Sequence, residues 1–306
     1  MKIVVTGGAG FIGSHVVEAL LAEGHSIIVV DDLSSGSQSN VPKDVLFSQM
    51  DIRSKEFFDL IVAEKPGALV HHAAHIHVGR SVENPVFDAD CNIMGTINMM
   101  QAAVKAGSVK KVIFASTGGA MYGEKPTPFN EGMPPQPLSP YGISKRSAEL
   151  YLYFYYKQYG IPFTALRYAN VYGPRQNPHG EAGVISIFLQ KLKAEEIPNI
   201  NGDGKQTRDY VYVEDVAAAN VLALKSDFVG ELNIGTATET DVNETYRLVK
   251  SAFGSSLDAT HGADRAGEQK TSSLSYDKAK EILGWQPSVS FREGIAKTVA
   301  YFKQTA

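Results

Sequence analysis

The chain has 306 residues, 43% of them apolar and 28 of them glycine, enough to bury a sizeable core in one large α/β domain or two intimate lobes. A formal net charge of -4 with no basic run excludes nucleic acid or a membrane surface as the main partner, and no apolar run approaches membrane-spanning length. The single Cys91 excludes an internal disulfide framework; with a strand pattern opening at Lys2 and no signal peptide before it, a cytoplasmic protein is expected.

Lys2 to Thr6 reads as a buried strand, followed by Gly7-Gly8-Ala9-Gly10-Phe11-Ile12-Gly13 and a helical pattern from Ser14 to Glu23. Gly7 and Gly10 let the backbone approach a pyrophosphate at the helix N-terminus, and Gly13 lets helix pack closely on strand. A second strand, Ser26 to Val30, ends at Asp31 and Asp32, about 20 residues past the glycine loop, where a carboxylate can hold a ribose diol. No Lys or Arg lies between Asp31 and Pro42 to neutralise a 2′-phosphate, so NAD is expected rather than NADP.

Val45 to Met50 reads as the third strand, closed by Asp51-Ile52, and Ser54 to Glu64 as the next helix. Asp51 either reaches an adenine amino group or caps that helix. Ala68 to Ala73 is the fourth strand, and Ala73-Ala74 offers small residues where a cofactor passes the carboxyl ends of the strands. His71, His72, His75 and His77 crowd this point. A metal site is not expected there, because no Cys or carboxylate lies between them and the first two point to opposite faces of a strand.

Asn84-Pro85 opens a helix reaching Ala106, Gly107 stops it, and Lys111 to Ala115 is the fifth strand. The segment Ser116-Thr117-Gly118-Gly119-Ala120 then takes the active-site position of a doubly wound sheet. Ser139 caps and Pro140 opens a long helix that carries Tyr141 and Lys145 one turn apart on one face. Free tyrosine titrates near ~10, so a tyrosinate at neutral pH needs a depression of about 3 units, part of which a close cation supplies. A hydroxyl from Ser116 or Thr117 would face Tyr141 across the crevice. Tyr151 to Tyr156 is apolar or aromatic all round, and Met94, Ile97, Met99 and Met100 are spread similarly on the preceding helix. A homodimer through residues 84–106 and 139–159 is therefore expected.

Pro162 to Tyr168 is a sixth strand, after which the alternation breaks. Residues 169–210 and 238–306 are assigned to a substrate lobe; 1–168 and 211–237, which return to helix and strand, form the cofactor domain. Arg208 and Arg265 are the candidates to clamp a diphosphate. Two helical patterns follow Thr240. The expected fold is α/β, a doubly wound parallel Rossmann sheet with a smaller interleaved lobe.

Together the glycine loop, Asp31, Ser116-Thr117, Tyr141 with Lys145, and the Asn170, Arg208 and Arg265 blocks resemble the extended short-chain dehydrogenase/reductase family from Ile3 to about Pro287. Arg167 to Gln176 and Gly202 to Val213 are most similar to the bacterial UDP-glucose 4-epimerases and related UDP-sugar epimerases. The resemblance puts Phe11, Ile12, Asp31, Asp51, Ile52, Ala73, Tyr141 and Lys145 at cofactor positions and Asn170, Arg208 and Arg265 at UDP-sugar positions. Two departures stand out. The stretch from Phe114 to Tyr122 is one residue longer than usual, which leaves Thr117 as the catalytic hydroxyl with Ser116 as fallback, and Ala266 replaces a usual Pro.

What the family implies is nucleotide-sugar chemistry at C4: Tyr141 removes the 4-hydroxyl proton, hydride passes to NAD, and a 4-keto sugar swings about its anchored UDP before hydride returns to the other face. Related 4,6-dehydratases and decarboxylases carry an acid just after the catalytic hydroxyl, where this chain has Gly118-Gly119-Ala120. A UDP-glucuronate epimerase and a silent NAD-binding regulator are the remaining alternatives. By the same resemblance Ser272 lines the sugar pocket opposite C2, small enough to leave room for an N-acetyl group.

Overall fold

Seven parallel strands form the centre of the structure, a computed structural model that describes residues 1–177, 183–263 and 269–304. They are β1 Lys2–Thr6, β2 Ser26–Asp31, β3 Leu46–Gln49, β4 Ala68–His71, β5 Lys111–Thr117, β6 Phe163–Tyr168 and β7 Gly230–Ile234. Their order is β7-β6-β5-β4-β1-β2-β3, every neighbouring pair parallel. The chain thus starts mid-sheet and reverses its direction of growth between β1 and β4, which leaves a crevice at the carboxyl ends of those strands. This is the doubly wound sheet expected above.

Both faces of the sheet are covered, which is why its strands read as Val- and Ile-rich runs. On one face Val16, Val17 and Leu20 of the helix Phe11–Ala22 meet Val216, Ala219 and Ala223 of the helix Val213–Lys225. On the other, Phe57 and Ile61 of Lys55–Glu64, Met99 and Met100 of Gly95–Ala106, and Leu152 and Tyr155 of Pro140–Tyr159 close over Val4, Ile28 and Phe114. A third cluster joins Tyr172, Phe188, Leu189, Tyr210, Tyr246 and Val299 from the later helices and short strands. Among the described residues no helix is long and apolar enough to cross a membrane.

Four local expectations need correction. The helix read from Asn84 to Ala106 is broken into Pro85–Ala89, a π turn over Asp90–Met94 and Gly95–Ala106, and a further short helix, Val78–Glu83, precedes it. Met99 and Met100 are fully buried, on the same stripe as Ala102 and Ala103, so they belong to the core and not to an outer face. Beyond Thr240 the described residues form three helices, Val242–Phe253, Asp277–Leu283 and Phe291–Gln304. Lys111–Thr117 also runs two residues past its expected end, because β6 continues to pair with it as far as Thr117 opposite Tyr168.

Candidate active site

A cleft of about 550 Å³ opens where β1, β2, β4 and β5 end. Gly7, Gly10, Phe11, Ile12 and Gly13 line one wall. Gly10 is the N-cap of the helix Phe11–Ala22; no side chain caps that end and no acidic residue occupies its first turn. The free N–H groups of the turn therefore offer an anion site. A Cβ on Gly7, whose φ is +70°, would lie 2.5 Å from the Ala73 nitrogen, and one on Gly13 2.1 Å from the Gly7 oxygen. Only glycine permits that close packing of the loop on the segment after β4 and of the helix on the loop.

Asp31, Asp32, Asp51 and Ile52 line the neighbouring part of the cleft, with Ala73 and Ala74 beside the glycine loop. Asp31 is buried, its oxygens accepting from the Ala9 N–H at 3.0 Å and the Leu33 N–H at 2.9 Å. Burial raises its carboxyl above the usual range against the pull of those bonds. Asp32 accepts from the Ser34 N–H and hydroxyl. Asp51 does not cap the following helix; Ser54 does, accepting from the Phe57 N–H. Instead Arg53 grips the Asp51 carboxylate through Nε and Nη2, holding it below the usual carboxylate range, and reaches Asp90 with Nη1 at 2.5 Å. Arg53 thus lines the cleft with its charge already matched.

Tyr141 and Lys145 enter the same cleft from the Pro140–Tyr159 helix, where Ser139 accepts from the Gly142 N–H as the expected N-cap. Lys145 is 3% exposed, donates to the Ala115 carbonyl at 2.9 Å and lies 4.8 Å over the Phe114 ring. Burial lowers its pKa to about 8, opposed by Asp88 and Glu149. A lysine whose folded pKa lies below its unfolded value of 10.5 destabilises the fold below pH about 8, and the penalty fades as pH rises toward 10.5. Lys145→Met removes that penalty and is expected to stabilise the apoprotein at neutral pH, less the cost of leaving the Ala115 carbonyl without its donor. Urea unfolding at neutral pH and near the upper limit should show that gain at the first and its loss at the second.

The two candidate hydroxyls differ in what holds them. Ser116 lines the cleft but donates at 2.7 Å to Glu149, 1% exposed, which also accepts from Arg167 through Nε and Nη2 and from Arg146. Thr117 accepts from the Ala120 N–H at 3.3 Å and, among the described residues, donates to none. It remains available as a donor.

Thr117, Asn170, Arg208 and Ser272 stand outside the walls of this cleft. A Cβ on Gly119 would lie 3.9 Å from Asn170 Oδ1 and 4.0 Å from Ser272 Oγ, so the segment after β5 brings those two together. Asn170 opens the strand Asn170–Tyr172, its N–H donating to the Asp209 carbonyl, and Ser272 is 3% exposed. Arg208 is half-buried on Thr207–Arg208, donating to the Thr207 carbonyl. Arg265 and Ala266 lie outside the described residues. Sequence reasoning missed Asp209, a buried carboxylate that accepts from the N–H groups of Thr236, Ala237 and Leu274 and from the Thr236 hydroxyl.

The histidines take separate roles. His71 is buried between Thr6 at 2.6 Å and Thr96 at 3.2 Å, while His72 stacks on Tyr168; burial lowers both pKa values to about 3. His75 meets Asp88 at 3.1 Å and His77 lies beside it. Among the described residues no group of three His, Cys, Asp or Glu is placed to hold a metal. Glu149 escaped the sequence reading, although its position one turn after Lys145 and two after Tyr141 puts it on their helix face.

Residues 3–235 match the NAD dependent epimerase/dehydratase family. A putative UDP-glucose 4-epimerase of Methanocaldococcus jannaschii is 46% identical over 304 residues, 98% of each chain. Among solved structures, UDP-glucose 4-epimerase of Thermotoga maritima with UDP-glucose is 47% identical with a TM-score of 0.97, covering 100% of this chain and 99% of that one. The Thermus thermophilus UDP-glucose 4-epimerase complex with NAD is 43% identical with a TM-score of 0.95, covering 100% of both.

Proposed function

The chain belongs to the NAD dependent epimerase/dehydratase family, and from that membership we propose that it is an NAD-dependent 4-epimerase of a UDP-hexose, interconverting UDP-glucose and UDP-galactose through a 4-keto sugar. The observation that carries this reading is one cleft holding the open helix end at Gly10, the Asp31 carboxylate, and the Tyr141-Lys145 pair. Close relatives over the full length are UDP-glucose 4-epimerases.

In this reading the glycine loop holds the cofactor's diphosphate, Asp31 its adenosine ribose, and Asp51 with Ile52 the adenine end. NAD, when bound, supplies the hydride acceptor and donor. Tyr141 takes the proton of the sugar's 4-hydroxyl and later gives one back, with the Lys145 charge favouring the tyrosinate. Thr117 orients the reacting oxygen, since Ser116 is committed to Glu149. Asn170, Arg208 and Arg265 hold the UDP portion while the hexose turns. No carboxylate follows Thr117 in Gly118-Gly119-Ala120, so elimination lacks the acid it needs and net epimerisation is favoured. Residues 1–168 with 211–237 serve as the cofactor domain and the remainder as the sugar-nucleotide lobe. Incubating purified protein with UDP-galactose and separating the products should give UDP-glucose; accumulation of NADH without it would overturn the reading.

The same reading extends to N-acetylated hexoses, because Ser272 and Gly119 are both small where they face one another. Ser272→Tyr is expected to slow turnover of UDP-N-acetylgalactosamine at least tenfold more than that of UDP-galactose, by removing the volume an acetamido group needs. Comparing kcat/KM for the two substrates decides it; wild-type protein inactive on the N-acetylated sugar would defeat the extension.

The assembly proposed is a homodimer through residues 84–106 and 139–159. Met94, Ile143, Leu150, Tyr153 and Phe154 stand about half exposed on those segments, apolar side chains that a partner copy would cover.

A further inference from the structure

His75, on the loop after β4, lines the cleft and has no part in the mechanism above. Its main chain is held twice by Asn92, whose Oδ1 accepts the His75 N–H at 2.8 Å and whose Nδ2 donates to the His75 carbonyl at 2.9 Å. Asn92 sits in the π turn Asp90–Met94. The ring is fixed as well: its centroid lies 5.3 Å from that of Phe87, with the two rings nearly perpendicular, and Nδ1 lies 3.1 Å from Asp88 Oδ1.

Asp88 is a carboxylate 1% exposed in its side chain, supported by Asn92 Nδ2 at 3.2 Å. An ionised carboxylate only accepts, so Nδ1 carries the hydrogen, and the neutral imidazole then presents Nε2 as a bare acceptor. The His75 side chain is 13% exposed and, among the described residues, nothing donates to Nε2. Because Nδ1 turns inward to Asp88, the edge left for the cleft is the one that carries Nε2.

What such an acceptor takes is a hydroxyl, and nucleotides bring hydroxyls on their sugars. We propose that His75 is a further ligand-binding residue of the cleft, with Nε2 held by Asp88 to accept from a sugar hydroxyl of a bound nucleotide. The proposal rests on the reading of the cleft as a nucleotide site. The hydroxyl belongs either to a ribose of the cofactor or to the hexose of the substrate, and both offer the same chemistry.

Two measurements test it. Nitrogen-15 NMR of the histidine-labelled protein, at a pH where the ring is neutral, should find the His75 hydrogen on Nδ1. Binding of NAD, UDP-galactose and UDP should then be compared in wild type, His75→Phe and His75→Gln. Loss of one neutral hydrogen bond weakens binding by about three- to tenfold. If NAD alone weakens in His75→Phe, with the unfolding midpoint unchanged, the hydroxyl is a cofactor ribose; if UDP-galactose weakens while UDP does not, it is the hexose. His75→Gln, which keeps an acceptor, should recover part of the loss. His75→Phe binding all three as wild type does, or a hydrogen on Nε2 in the wild type, would overturn the proposal. Wild-type protein that fails to bind UDP-galactose refutes the substrate reading instead, and the NAD comparison still decides the role of His75.

Discussion

Tyr141→Phe is expected to lower kcat by about 10²- to 10⁴-fold, the range that a positioned acid-base group supplies. Phenylalanine keeps the ring, and Lys145 keeps its bond to the Ala115 carbonyl, which does not involve Tyr141. Folding and NAD content should therefore match wild type, and the loss should fall on kcat rather than KM, because in the proposed mechanism the missing oxygen acts on the reacting proton. Steady-state kinetics together with release of NAD on denaturation measures both parts. Full activity in this variant would refute the assigned base.

Glu149→Ala should cost about 3–5 kcal/mol of stability, the usual consequence of removing one partner from a buried ion pair. The Glu149 side chain is 0% exposed and that of Arg167 3%, joined at 2.7 Å. With Glu149 gone, the nearest remaining carboxylate to Arg167 among the described residues is Glu231, at 3.7 Å and partly exposed. Ser116 loses its acceptor in the same step, so its hydroxyl becomes a second donor beside Thr117. Urea titration gives the stability change; a variant within about 1 kcal/mol of wild type would show that the pair does not hold the Pro140–Tyr159 helix to β5 and β6.

The parts of this molecule written in short stretches were legible in the sequence. A strand, a glycine turn and a helix fit within the first 22 residues, and Tyr141 and Lys145 lie one turn apart, so local spacing alone placed them. Asp31 needed only the length of one helix and one strand. What escaped is built by contacts between distant segments. Glu149 meets Arg167 and Ser116 across the sheet, Asp209 gathers Thr236 and Leu274, and His75 finds Asp88 only because the fold returns the chain there. Periodicity also failed where a π turn shifts the helical phase: the pattern that scattered Met94, Ile97, Met99 and Met100 around one ideal helix divides at Gly95, and the last two face the sheet. Asp51 was read with two alternatives, and neither included Arg53, two residues away, because a turn and not a helix brings them together.

The central claim is that hydrogen leaves C4 of the sugar and returns to the same carbon without leaving the protein. The direct test is turnover of UDP-galactose in deuterium oxide with no added NAD, followed by mass and NMR analysis of the product. The account predicts UDP-glucose with no deuterium at C4; deuterium at C4, or a requirement for stoichiometric NAD, would contradict it.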